Sequence, residues 1–313
     1  MSMLINIALL LVGFVLLVKG ADLFVDGSSG VARLLRVPSV VIGLTVVAMG
    51  TSLPEASVSI NASLTGNNGL SLGNVIGSNI FNLMVVACFC AIVMSFIPDK
   101  QLLTRDFPVC ILASGLLMLF MWDNVMARWE GAVLLVLMVS YIAWTVIAAM
   151  KDRTQEDEEA EKPKVSKCLI LIVIGVVGII LGGEVVVATA SNIASALGLS
   201  QALIGLTIVA VGTSLPELAT SIVAAKKGES GLALGNAVGS CIFNILFILG
   251  ASATLSPIGD ATHVLTDCLI MLVLTAILFV WIRIKGRMSK VMGVAGILSY
   301  VAYMGYLIAT AGL

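Results

Sequence analysis

Glu55 and Glu217 each close the hexapeptide Gly-Thr-Ser-Leu-Pro-Glu in the middle of an apolar run. A lone carboxylate at the centre of a bilayer costs about 2.5–3.5 kcal/mol on insertion scales, and two near each other add repulsion. A bound cation relieves both penalties. Pro54 and Pro216 have no N–H, so the carbonyls four residues back, on Gly50 and Gly212, lose their helical partner. Unwound backbone at membrane depth is tolerated only where it lines a cavity or packs against protein. The break therefore aims carbonyls between Ala48 and Thr51, and between Ala210 and Thr213, at a ligand.

The residue types select the ion. Carboxylate, hydroxyl and carbonyl oxygens suit a hard cation such as Ca²⁺ or Na⁺. Cys241 is the one soft ligand nearby, and its counterpart in the other half is Asn79; the lone His263 lies at the edge of a span. Zinc and copper are therefore disfavoured. A second motif, Gly-Asn-x-x-Gly-Ser-x-Ile-Phe-Asn, follows each hexapeptide. Asn74, Ser78 and Asn82 recur every fourth residue and share one helix face, as do Asn236, Ser240 and Asn244. Gly73 and Gly77, like Gly235 and Gly239, allow close backbone approach. Asn74 and Asn236 read as glue between helices. Ser78, Asn82, Ser240 and Asn244, deeper along the face, read as ligands.

The elements that carry these residues follow from composition. Of 313 residues, 59% are hydrophobic and 11% charged, about half the charge of a soluble domain. The apolar residues fall in runs of about 20, the length that crosses a bilayer as a helix. Soluble enzyme folds are excluded, and with no basic stripe so is a nucleic-acid partner. The six cysteines form no CxxC pair and mostly lie inside apolar runs, as core fillers. The N-terminal apolar run lacks a basic lead and a small-residue cleavage site, so it reads as the first span. Spans are expected at 3–26, 39–64, 70–97, 106–122, 129–150, 167–193, 201–225, 231–255, 264–284 and 291–311.

Segments 43–83 and 205–245 align without a gap at a shift of 162, with 25 of 41 positions identical. Five spans separate the copies, so the second enters the membrane from the other side. That is the inverted repeat of secondary transporters, whose site lies near the midplane at the repeat interface. Alternate loops hold 15 of the 17 Lys and Arg residues; the exceptions are Lys19, inside the first span, and Arg128. Cytoplasmic loops carry the Lys/Arg excess, so both termini are expected to face away from the cytoplasm, in a multi-pass protein of the cell membrane. The fold class is therefore an all-α integral membrane protein of ten transmembrane helices, as two inverted-topology repeats of five. The repeats occupy 1–150 and 166–313, joined by a charged cytoplasmic linker at 151–165. Lys19 and Asp22, three residues apart, are expected to neutralise each other; Glu184 stands at the position equivalent to Asp22.

With both motif pairs in view, the chain resembles the sodium/calcium exchanger family, in its compact prokaryotic form, over its whole length. The resemblance implies ion ligands at Ala48 and Thr51 (carbonyls), Ser52, Glu55, Ser78 and Asn82. From the second copy it implies Ala210, Thr213, Ser214, Glu217, Ser240 and Asn244. Several members of the family, including the potassium-dependent branch, carry Asp where this chain has Asn244. Two acids in place of three argue against potassium dependence.

The expected activity is antiport of Na⁺ against Ca²⁺ by alternating access, with no cofactor beyond the transported ions. The expected partners are the bilayer and those ions, and a monomer suffices. The resemblance also implies that the first and sixth helices slide across a core holding the site. A Ca²⁺/H⁺ antiporter is the alternative, although proton-coupled relatives usually show Gly-Asn-x-x-Glu without proline. A channel would build its filter by oligomeric symmetry, and a hydrolase lacks a mid-membrane His base for Ser52 or Ser214.

Overall fold

In the computed structural model of the chain, residues 3–151, 163–199, 204, 208, 210–259 and 264–310 are described. The first half runs α1 (Met3–Leu35), α2 (Ser39–Thr51), α3 (Leu53–Leu64), α4 (Asn68–Val93), α5 (Leu102–Phe120) and α6 (Arg128–Lys151). The second runs α7 (Val165–Ala196), α8 (Ala210–Gly212), α9 (Leu215–Lys226), α10 (Ser230–Leu255), α11 (Val264–Lys285) and α12 (Lys290–Thr310). Two short strands, β1 (Val125–Met126) and β2 (Ile258–Gly259), pair antiparallel and tie the halves together.

Among the described residues eight helices are long and apolar enough to cross a membrane, and α2 with α3 makes a ninth, bent by 51°. The bend is local chemistry. Pro54 stands in the first turn of α3, where its missing N–H costs least, and Ser52 takes φ −85° and ψ 11° to turn the chain. Ser214 repeats this before α9, at φ −94° and ψ 7°. The tenth expected span, 201–225, falls partly outside the described residues, and so does most of the linker at 151–165.

Helices α4 and α10 form the centre and are buried over most of their length, while the outer helices present Leu, Val and Ile outward. That apolar belt suits lipid. Both central helices widen into a π turn at the same place, Asn82–Ala87 and Asn244–Leu249. Of the four motif glycines only Gly235 and Gly239 allow close approach; a Cβ on Gly73 or Gly77 would meet nothing within 4 Å. A Cβ on Gly235 would sit 2.7 Å from the Val40 carbonyl oxygen, and one on Gly239 2.7 Å from the Leu44 Cα.

Outside this centre α1 lies along α7, backbone against backbone. Gly20 and Gly182, equivalent in the two halves, make the closest approach: Cβ atoms there would sit 2.6 Å from the Ile179 nitrogen and 2.5 Å from the Leu17 nitrogen. No larger residue fits either position without separating the pair.

Three expectations are corrected. Helix α1 continues past 26 to Leu35, because nothing breaks it before Arg36 (φ 55°) and Pro38, and Gly27, Ser28, Ser29 and Ala32 pack inward. Its 33 residues span about 50 Å, more than a bilayer core needs. Arg105 lies not in a loop but in the first turns of α5, buried, with its Nε 2.7 Å from Asp106 Oδ1. Tyr141 of α6 donates to the same carboxylate oxygen at 3.0 Å. Nor does Asp22 pair with Lys19, whose side chain is exposed. Lys227, just past α9, sits 2.6 Å from both Asp22 Oδ1 and Asp26 Oδ1. Partial burial pulls the Lys227 ammonium down, but hydrogen bonds and charge from Asp22 and Asp26 outweigh it and hold the pKa above the usual lysine range.

Candidate cation site

The two breaks bring α3 and α9 nose to nose at the centre. Glu55 and Glu217, each in the first turn of its helix, have no exposed surface. Each carboxylate is held by the serine of the other repeat: Ser214 Oγ donates to Glu55 Oε1 at 3.0 Å, and Ser52 Oγ to Glu217 Oε1 at 2.8 Å. Thr213 also faces Glu55, and Thr51 faces Glu217. Ser240 reaches Glu217 Oε1 at 3.5 Å, at the limit of a hydrogen bond. Neither half could build this arrangement alone.

The remaining oxygens are conspicuous for what they lack. Glu55 Oε2, Glu217 Oε2, Ser78 Oγ, Asn244 Oδ1 and both amide atoms of Asn82 are buried with no protein partner. An unsatisfied buried polar atom costs about 1–3 kcal/mol, more when charged, so six within the two motif pairs call for an explanation. Their chemistry gives one: five are oxygens, from carboxylates, a hydroxyl and amides, the donor set of a hard cation. Among the described residues no three or more His, Cys, Asp or Glu side chains are placed together to hold a metal ion. The charge at the site is thus that of two carboxylates, set among neutral oxygens.

Asn74 and Asn236 are different, for every polar atom of theirs is used. Asn74 Nδ2 donates to Ser59 Oγ at 2.8 Å and to the Glu55 carbonyl at 3.3 Å, and its Oδ1 accepts from Thr213 Oγ1 at 3.3 Å. Asn236 repeats the pattern with Ser221 Oγ at 2.9 Å, the Glu217 carbonyl at 3.4 Å and Thr51 Oγ1 at 3.0 Å. They brace the broken helices and lock threonine rotamers across the repeat interface. Ser59 and Ser221 complete this brace and were not singled out from the sequence. Their signal was available, since Ser-Ile recurs at both places in the repeat.

The carbonyls behave less freely than the prolines suggest. Ala48 O already accepts from Ser52 N at 3.1 Å, so one of its two lone pairs is engaged and one is left for an ion. In the second copy Ser214 N turns to Val211 O at 3.1 Å, a tighter turn that draws this donor away from the carbonyl of Ala210. The side chain of Ala210 lies outside the described residues.

These features have counterparts in known proteins. A family model described as sodium/calcium exchanger protein matches residues 5–147 and again 167–309. Sodium/calcium exchanger MaX1 of Methanosarcina acetivorans is 30% identical, over 96% of this chain and 97% of its own. Inner membrane protein YrbG of Escherichia coli strain K12 is 36% identical over 82% of this chain and 81% of its own. A solved structure of the sodium-calcium exchanger NCX_Mj, soaked with 10 mM Na⁺ and zero Ca²⁺, matches with a TM-score of 0.86 at 33% identity, covering 97% of this chain and 99% of that one.

Proposed function

The chain belongs to the sodium/calcium exchanger protein family, a family of cation antiporters rather than enzymes, and from that premise we propose that it exchanges Na⁺ for Ca²⁺ at the site between Glu55 and Glu217. The observation that carries this reading is the pair of fully buried carboxylates, each pinned at Oε1 by the other repeat's serine and unpartnered at Oε2.

Two carboxylates carry −2, which one Ca²⁺ or two Na⁺ neutralises. Further Na⁺ would rest on neutral oxygens such as those of Ser78, Asn82, Ser240 and Asn244. Both loads need the same oxygens, so they exclude each other. Moving the site past the low-dielectric interior is least costly when the acids are neutralised; empty, they keep the full desolvation penalty. Loaded states therefore cross and the empty state does not, which makes the transport an exchange.

The moving part we assign is the pair α1 and α7, meshed at Gly20 and Gly182 and sliding across the core of α4 and α10. The loop charges orient the protein with both termini outside the cytoplasm, in the cell membrane. The site is complete within one chain, so a monomer suffices.

The reading is tested by calcium uptake into proteoliposomes of the purified protein. Sodium-loaded vesicles take up calcium, and the uptake collapses when the sodium gradient is removed. Uptake driven equally well by a pH gradient without sodium would replace Na⁺ with H⁺ as the coupling ion.

A further inference from the structure

Asn79, one residue beyond Ser78, is buried on α4, and its counterpart in the other repeat is Cys241 on α10. The two meet across the centre of the protein. Asn79 Nδ2 donates to the Cys241 carbonyl oxygen at 3.2 Å, and Cys241 Sγ donates to the Asn79 carbonyl at 3.6 Å. A carbonyl oxygen only accepts. The Asn79 amide therefore has one orientation, with its NH₂ toward Cys241 and its Oδ1 turned away.

That oxygen accepts from Asn244 Nδ2 at 3.1 Å, and the constraint passes on. With its NH₂ held by Asn79, Asn244 keeps Oδ1 on its other side, buried and without a protein partner. Asn244 lies one helical turn beyond Ser240, whose hydroxyl reaches Glu217. Turned over, the Asn244 amide would present two N–H donors in place of an oxygen, and an N–H repels a cation. The repeat is broken here. Where symmetry would give Asn82 an amide partner stands Cys241, and both amide atoms of Asn82 are unpaired. The two amide arms of the site are therefore unequal: Asn244 is held in orientation and Asn82 is not.

We propose that Asn79 is a positioning residue for cation binding. A relay from the Cys241 carbonyl through the Asn79 amide holds Asn244 with its oxygen toward the ion. This rests on the exchanger reading of the site. It makes one arm specific to oxygen coordination and leaves the other free to turn as the load changes.

The test is a cycle of substitutions read by calcium flux in sodium-loaded proteoliposomes. Asn79→Cys installs the residue that the other repeat already carries at this place, and Asn79→Ser serves if the cysteine variant fails to reach the bilayer. Either frees the Asn244 amide, so half-saturating calcium rises about fivefold, the worth of one hydrogen bond between neutral groups, while the maximal rate stays within about twofold. In the Asn244→Asp background a carboxylate has two equivalent oxygens and no donor to orient. There the same substitution changes half-saturation by less than about twofold. An equal loss in both backgrounds would mean that Asn79 only packs, and no loss in the parent background would end the relay outright. A parent protein with no calcium flux at all overturns the exchanger reading, and this inference with it.

Discussion

Replacing Glu55 by Gln asks how much of the calcium affinity comes from charge rather than shape. The substitution keeps the atom count and an acceptor for Ser214 Oγ, which donates to Glu55 Oε1 at 3.0 Å. One full charge is lost. At an effective dielectric of about 20 and a separation of about 4 Å, a unit pair attracts by roughly 4 kcal/mol, so one carboxylate draws a divalent ion by about 8. Part of this is returned in the ion-free state, because the amide is easier to bury and no longer repels Glu217. Removing one member of a buried, compensated charge set costs about 3–5 kcal/mol net. At 1.4 kcal/mol per decade, half-saturating calcium rises by at least about a hundredfold. The assay is calcium uptake into sodium-loaded proteoliposomes across a wide calcium range, with the amount of inserted protein matched. Half-saturation within about threefold of the parent would refute the reasoning, because a charge at the ion cannot be worth so little.

The other predictions concern the lacing, the third acid and the topology. Ser214→Ala removes the donor to Glu55 Oε1, and since hydrogen bonds to charged groups are worth about 1.5–3 kcal/mol, calcium affinity falls about ten- to a hundredfold in the same assay; an unchanged affinity would place Glu55 outside the site. Asn244→Asp adds a charge that two acids already balancing Ca²⁺ leave uncompensated. Its calcium flux acquires a dependence on pH or potassium between about pH 5.5 and 8.5, and coincident profiles for parent and variant would exclude Asn244 from the ion site. In intact spheroplasts, cysteines introduced at Ala196 and Gly312 react with an impermeant thiol reagent, whereas those at Gln155 and Gly286 react only after permeabilisation. Labelling of Gln155 from outside would invert the orientation drawn from the loop charges.

Much of the site was legible because it is written twice. The gapless shift of 162 puts Glu55 over Glu217, Ser52 over Ser214 and Asn74 over Asn236, and the hydrogen bonds repeat in the same register. The cross-lacing itself was not legible. That Ser52 holds Glu217 rather than its own neighbour Glu55 depends on how the halves interlock, and a one-dimensional pattern carries no such pairing. Asn79 was passed over for the opposite reason: it breaks the repeat, and its partner Cys241 was weighed only as a soft ligand.

Periodicity also gave the helices but not their ends or bends. Hydropathy stops α1 where charge begins, yet helical hydrogen bonds continue to Leu35 because the helix needs only the absence of a breaker. The π turns at Asn82 and Asn244 leave no mark in a hydrophobic pattern. The ion pairs of Lys227 with Asp22 and Asp26 join residues some 200 positions apart, which no i, i+3 rule reaches. Nor could the prolines alone say that the Ala48 carbonyl stays engaged by Ser52 N.

The central claim is that one set of oxygens around Glu55 and Glu217 serves both ions and never both at once. Calcium binding to the purified protein, titrated at a series of fixed sodium concentrations, measures this without transport. If the loads exclude each other, the apparent calcium dissociation constant climbs without a plateau as sodium rises, more steeply than in proportion because more than one Na⁺ is displaced. A dissociation constant that levels off at high sodium would mean that both ions are held together, at separate sites, and would contradict the account.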